Sequence, residues 1–199
     1  MQKAASIFLA LMCLPLASVA QSQAAPSTVN LRFSEQFSNA PPASCGCFGL
    51  EGVAADAAWN FVPASGKRAI VAFAVDAGVE HTGKVSNADY GLTLTTVSAG
   101  PRFLLPTQKL DSFVQVLFGF AHGSNSEFPK GNTLVPSASS FAFDLGAGAD
   151  YPLHNRHVSV RVLQVDYLRT GMPNITSNWQ NNLRIGAGVT WHFTSGKKH

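Results

Sequence analysis

Three groups of residues in this 199-residue chain have types and spacings that do chemistry. In "HGSN", His122 and Ser124 stand two apart, so a strand places them on one face, with Glu127 close behind. A serine nucleophile, an imidazole base and a carboxylate orienter make an acyl-transfer site. In "CGC", Cys45 and Cys47 are one residue apart; in an oxidising compartment they support a disulfide, either local in a small strained ring or intermolecular. A metal pair is the alternative, but it needs more ligands, and the nearest histidines, His81 and His122, belong to other segments, so neither a metal nor a cofactor is expected. The third group comprises Asp56, Asp76, Glu80, Asp144 and Asp150 with Arg102 and Arg184, scattered through segments otherwise rich in Gly, Ala and aliphatics. Charges in such surroundings must be paired. They form either a salt-bridge network or the lining of a conduction path.

The elements that carry these residues alternate. In "NNLRIGAGVTWHF", Leu183, Ile185, Ala187, Val189, Trp191 and Phe193 face one way and Asn182, Arg184, Gly186, Gly188, Thr190 and His192 the other. Eight such strands are predicted, at about residues 28–36, 48–61, 68–80, 92–104, 112–124, 140–151, 158–167 and 181–193, with no helical period between them. Asp56, Asp76, Glu80, Arg102, Asp144, Asp150 and Arg184 all fall on the polar face of their strand. The seventh strand departs from the rule, because Arg161 and Asp166 have opposite parity: either a bulge lies between them or one faces the wrong way. The first strand reads both ways, with Val29, Leu31 and Phe33 against Asn30, Arg32 and Ser34.

Residues 1–20 have the build of a secretory leader, with Lys3, an apolar stretch from Ile7 to Leu16 and small residues at Ser18 and Ala20. Residues 21–27 are then a linker, 28–193 the folded domain and 194–199 a short tail. Without Lys3 the formal charge falls from +3 to +2, and with no cluster of Lys and Arg outside the tail, nucleic acid is not an expected partner. Only 13% of residues are charged against 46% hydrophobic, too few for an ordinary water-covered surface. After the leader no apolar run is long enough for a membrane helix, so any membrane crossing must use strands.

The second, fourth and sixth connections are short; the first, third, fifth and seventh are longer. With an even strand number and aromatics near the ends of the apolar faces (Trp59, Phe61, Phe103, Tyr151, Trp191), this points to an all-β, eight-stranded antiparallel up-and-down transmembrane barrel. Closure satisfies the backbone without water, and side chains fill a barrel of this size. A soluble periplasmic sandwich also alternates, but its polar faces would be rich in Lys, Glu and Thr, not in Gly and Ala.

The pattern over residues 28–193 resembles the small eight-stranded outer-membrane β-barrels of the OmpA transmembrane-domain and OmpX type. Gly188, Trp191 and Phe193 resemble the Gly-x-x-aromatic-x-aromatic signal read by the barrel assembly machinery, although six residues, "TSGKKH", follow Phe193. The resemblance implies a monomer in the bacterial outer membrane, with membrane lipid, the assembly machinery and an unidentified extracellular ligand of the loops as partners. Its implied role is structural, adhesive or interactive, with at most a narrow pore, and not enzymatic. "HGSN" also resembles a stretch of the outer-membrane lipid A deacylases, which places His122 and Ser124 in a hydrolase reading; in that family the motif lies near the C-terminal strands and its Glu is distant.

Overall fold

The computed structural model describes residues 27–39, 47–60, 70–85, 89–107, 109–154, 157–173 and 178–193. Residues 1–26, where the leader and linker are expected, Cys45, Phe61 and residues 194–199 lie outside the described residues. Eight strands follow in order: β1 (Thr28–Asn39), β2 (Cys47–Asn60), β3 (Ile70–Thr82), β4 (Leu92–Pro106), β5 (Asp111–Lys130), β6 (Thr133–Pro152), β7 (Val158–Thr170) and β8 (Gln180–His192). Each pairs antiparallel with its successor, and β8 pairs with β1 to close the barrel. Following one rung from Asn30 through Asp56, Asp76, Ser98, Gly119, Ala142 and Thr170 reaches Gln180, beside the far end of β1. That displacement, about ten residues over eight strands, tilts the strands by about 40°.

Closure decides what alternation alone left open. On β1, Asn30, Arg32, Ser34, Gln36 and Ser38 are buried in the lumen, while Leu31, Phe33 and Phe37 are exposed on the outer wall. On β7 a bulge restores parity: Leu163 pairs with Ala149 and Arg161 with Asp150, so Val162 is the extra residue and both Val162 and Leu163 face outward. Arg161 and Asp166 therefore both point inside, 1% exposed each.

The expected fifth loop is a correction. Residues 125–139, rich in Ser, Asn, Gly and Pro, continue β5 and β6 as a hairpin that ends in a turn at Gly131. Its pairing slips between Ser124 and Phe128, where Asn125 takes a left-handed φ of 58°. The turn itself uses Gly131 at φ 61°. At the opposite end β2 is described to Asn60 and β3 from Ile70, and residues 61–69, which hold the second connection and the expected strand ends at 61 and 68–69, lie outside the described residues.

The outer wall is apolar over a belt. From Tyr151 up to Phe141 on β6 it covers about 25 Å of height at this tilt, the thickness of an outer-membrane band. Trp59, Phe103, Tyr151 and Trp191 mark its lower edge, near the termini and the second, fourth and sixth connections. Above it runs a polar margin of Glu51, His81, Thr95, His122, Arg169 and Asn181.

The lumen has two tiers. The lower and middle tier is charged, whereas the upper one is an apolar plug of Leu50, Leu92, Leu94, Ala121, Phe128, Ala142, Leu168 and Met172. Phe128, on the hairpin, packs inward against Gly123, where a β-carbon would meet its ring and the Met172 sulfur. The interior is therefore not wholly polar: beside the charged network it holds this lid, with Gln36, Thr170 and Asn182 buried at the level of Leu50, Ala142 and Leu168, and a smaller apolar cluster of Ala58, Ala72, Ala74 and Leu117.

Candidate functional site

The charged tier joins strands from all round the barrel. Arg184 on β8 is fully enclosed and ion-pairs with Asp76 (3.0 Å), Asp144 (3.0 Å), Asp166 (3.1 Å) and Glu80 (3.5 Å). Arg161 holds Asp150 through Nε at 2.7 Å and reaches Asp56 across the lumen. Arg102 donates to Asp56 at 2.6 Å and to Gln115 Oε1 at 2.7 Å. Arg32, which sequence reasoning left outside this group, bridges Asp56 and Asp76. Four guanidiniums thus meet six carboxylates, all buried. One oxygen of Glu80 and one of Asp144 are buried with no hydrogen-bond partner among the described residues.

Neutral groups complete the packing. Gln164 donates to both oxygens of Asp166 at 2.9 Å, Ser34 donates to Glu80 at 3.1 Å, and Thr190 donates to Asp150 at 3.2 Å. Phe113, at the foot of the lumen, lies between Arg102 and Arg161, whose guanidinium carbons stand 4.4 and 4.6 Å from its ring centre. Glycines make the room. Gly188 pairs with Arg32 on one side and Arg161 on the other, and a β-carbon there would overlap the Leu31 carbonyl and the Arg32 side chain. That gives Gly188 a packing role beside the assembly signal proposed for it with Trp191 and Phe193.

The His122 and Ser124 pair does not come together as the acyl-transfer reading requires. Both lie on the outward side of β5, but the His122 Nδ1 is 2.8 Å from Ser139 Oγ on the neighbouring strand. Ser124 stands between Thr93 and Ser137, and Glu127 lies within the stretch between Ser124 and Phe128 where the pairing slips. Cys47 opens β2, while Cys45 is outside the described residues. Among the described residues no cluster of three or more His, Cys, Asp or Glu is arranged to hold a metal.

No family model matches the chain, and no curated protein does. Among solved structures it is similar to Neisserial surface protein A, with a TM-score of 0.62 at 16% identity over 83% of this chain and 96% of that one. It is similar too to the outer membrane enzyme PagL (TM-score 0.49, 12% identity, 81% and 99% of the two chains). A third is Ail, the attachment invasion locus protein of Yersinia pestis, solved with the heparin analogue sucrose octasulfate (TM-score 0.48, 15% identity, 82% and 98%). With its closed sheet, apolar outer belt and filled lumen, the chain has the fold of the small eight-stranded outer-membrane β-barrels.

Proposed function

We propose that this protein is a monomeric structural and adhesive barrel of the bacterial outer membrane, inserted by the barrel assembly machinery and acting through its extracellular end. The observation that carries the reading is the filled lumen: a charged network under an apolar lid leaves the loops and the β5–β6 hairpin as the working surface. The hairpin offers exposed Glu127, Lys130 and Leu134 well beyond the belt. An enzymatic role has less support, since the His122 imidazole is engaged by Ser139 and no carboxylate is bonded to it among the described residues.

The test has two parts. In planar bilayers the purified protein should give no conductance steps above background; regular steps would make it a pore. Displayed on a non-adherent Gram-negative host, it should raise attachment to host cells or matrix by about tenfold, on the order of one well-formed contact. A variant with residues 125–136 replaced by a two-residue Asn-Gly turn, which links the cross-strand partners Ser124 and Ser137, should lose that gain; equal attachment by both would remove the hairpin from the function.

A further inference from the structure

The outer wall carries a feature that neither the plugged lumen nor the hairpin uses. A groove crosses it over β7, β8, β1 and β2, lined by Phe33, Phe37, Leu163 and Ile185, with Gly52, Gly186 and Ala187 as its low floor. Phe33, at 78% exposure, stands out as one wall, and the β7 bulge pushes Leu163 outward as another. The groove runs from Leu163 and Ala187, within the apolar belt, to Glu35 and Glu51 at its upper margin.

Those two glutamates are the anomaly. They are direct cross-strand partners, both exposed, and neither has an ion pair or hydrogen bond among the described residues. Like charges directly opposite on one sheet face repel, and carboxylates at the edge of hydrocarbon are costly. The Glu35 carboxylate leans over Gly49 on β2, and Glu35 and Glu51 both line the groove. Glu35 is set between Phe33 below and Phe37 above, with Ile185 beside it, so no basic side chain of its own strands reaches it. His81, next along the rung from Glu51, directs its Nδ1 to Thr93 at 2.9 Å.

We propose that this groove binds one lipid whose head group carries a primary ammonium, with an acyl chain along Ala187, Gly52 and Phe33 and the ammonium between Glu35 and Glu51. The proposal rests on the barrel being inserted in a membrane. An apolar channel of this kind follows a chain descending into the bilayer, and its charged end lies where head groups begin. Charge selects the occupant: a second copy joined through the same face would add two more carboxylates, and an anionic head group would be repelled. An ammonium donates to both carboxylates at once.

The full chain, placed in nanodiscs of equal phosphatidylethanolamine and phosphatidylglycerol, is released into a mass spectrometer under native conditions. Retained phosphatidylethanolamine should exceed phosphatidylglycerol by about fivefold, and Glu35→Gln with Glu51→Gln should bring the two within about twofold of each other. Ala187→Phe, which fills the floor but keeps both charges, should abolish retention of either lipid. Equal retention by the wild type, or a preference untouched by the double variant, overturns the proposal. Phosphatidylglycerol held until EDTA is added would assign the carboxylates to a divalent ion, and a dimer that forms as lipid leaves would assign the groove to a second copy; both overturn it. Each variant is checked for a heat-dependent gel shift, since a wild-type chain with no shift refutes the membrane barrel itself and not the lipid site alone.

Discussion

Arg184 is the residue on which most of the interior charge depends, because it faces Asp76, Glu80, Asp144 and Asp166. Replacing it by Met leaves those carboxylates without their shared counter-charge, and the barrel should lose about 3–5 kcal/mol in urea unfolding from lipid vesicles. Asp144→Asn should behave in the opposite sense. Among the described residues Arg184 is its only ion-pair partner and its second oxygen has no hydrogen bond, so shedding one of the six carboxylates should leave the unfolding midpoint unchanged or raised. If both variants were equally destabilised, the surplus of carboxylates would not matter. Parity in the sequence was enough to put Arg102, Arg184 and five acids on the inner side. Arg32 escaped it because Val29, Leu31 and Phe33 alternate with Asn30, Arg32 and Ser34 in a way that fits either face, and its partners Asp56 and Asp76 lie on other strands. Only closure of the sheet assigns it.

Strand β7 shows what one extra residue does for an element. Val162 is the extra residue that gives Arg161 and Asp166 opposite parity, and bulging it outward beside Leu163 keeps both in the lumen. Deleting Val162 should close the bulge, leaving Leu163 alone between Arg161 and Gln164 with both still inside, and the heat-dependent gel shift should be retained; deleting Val165 instead, which turns Asp166 toward lipid, should abolish it. Loss of the shift in the first variant would mean that the bulge itself is needed for closure. The sequence signalled this bulge through the parity conflict itself. It hid the hairpin extension, because Pro129, Gly131 and Pro136 with their Ser and Asn neighbours have loop composition. Pro136 lies where the pairing between Ser124 and Phe128 is interrupted, so its missing N–H costs no ladder bond there. The apolar lid was hidden in another way: Leu50, Leu94 and Leu168 are spread singly over polar faces, and only the barrel geometry stacks them with Phe128 and Met172.

At the scale of the whole molecule, the outer belt and the closed ladder predict outer-membrane fractionation and faster migration of the unboiled protein on a gel. Soluble protein with no such shift would reverse the assignment of inside and outside. The reach of the ion pairs sets a further demand. Arg161 is tied to Asp56 and Arg184 to Asp76 over more than a hundred residues of chain, and β8, which brings Arg184, closes the sheet on β1. A sheet still lacking β8 would leave Glu80, Asp144 and Asp166 in the hydrocarbon without Arg184 to meet them. Insertion by stepwise addition of strands to the bilayer is therefore uphill until the last one arrives, and the chain must be kept out of the hydrocarbon until its two ends meet.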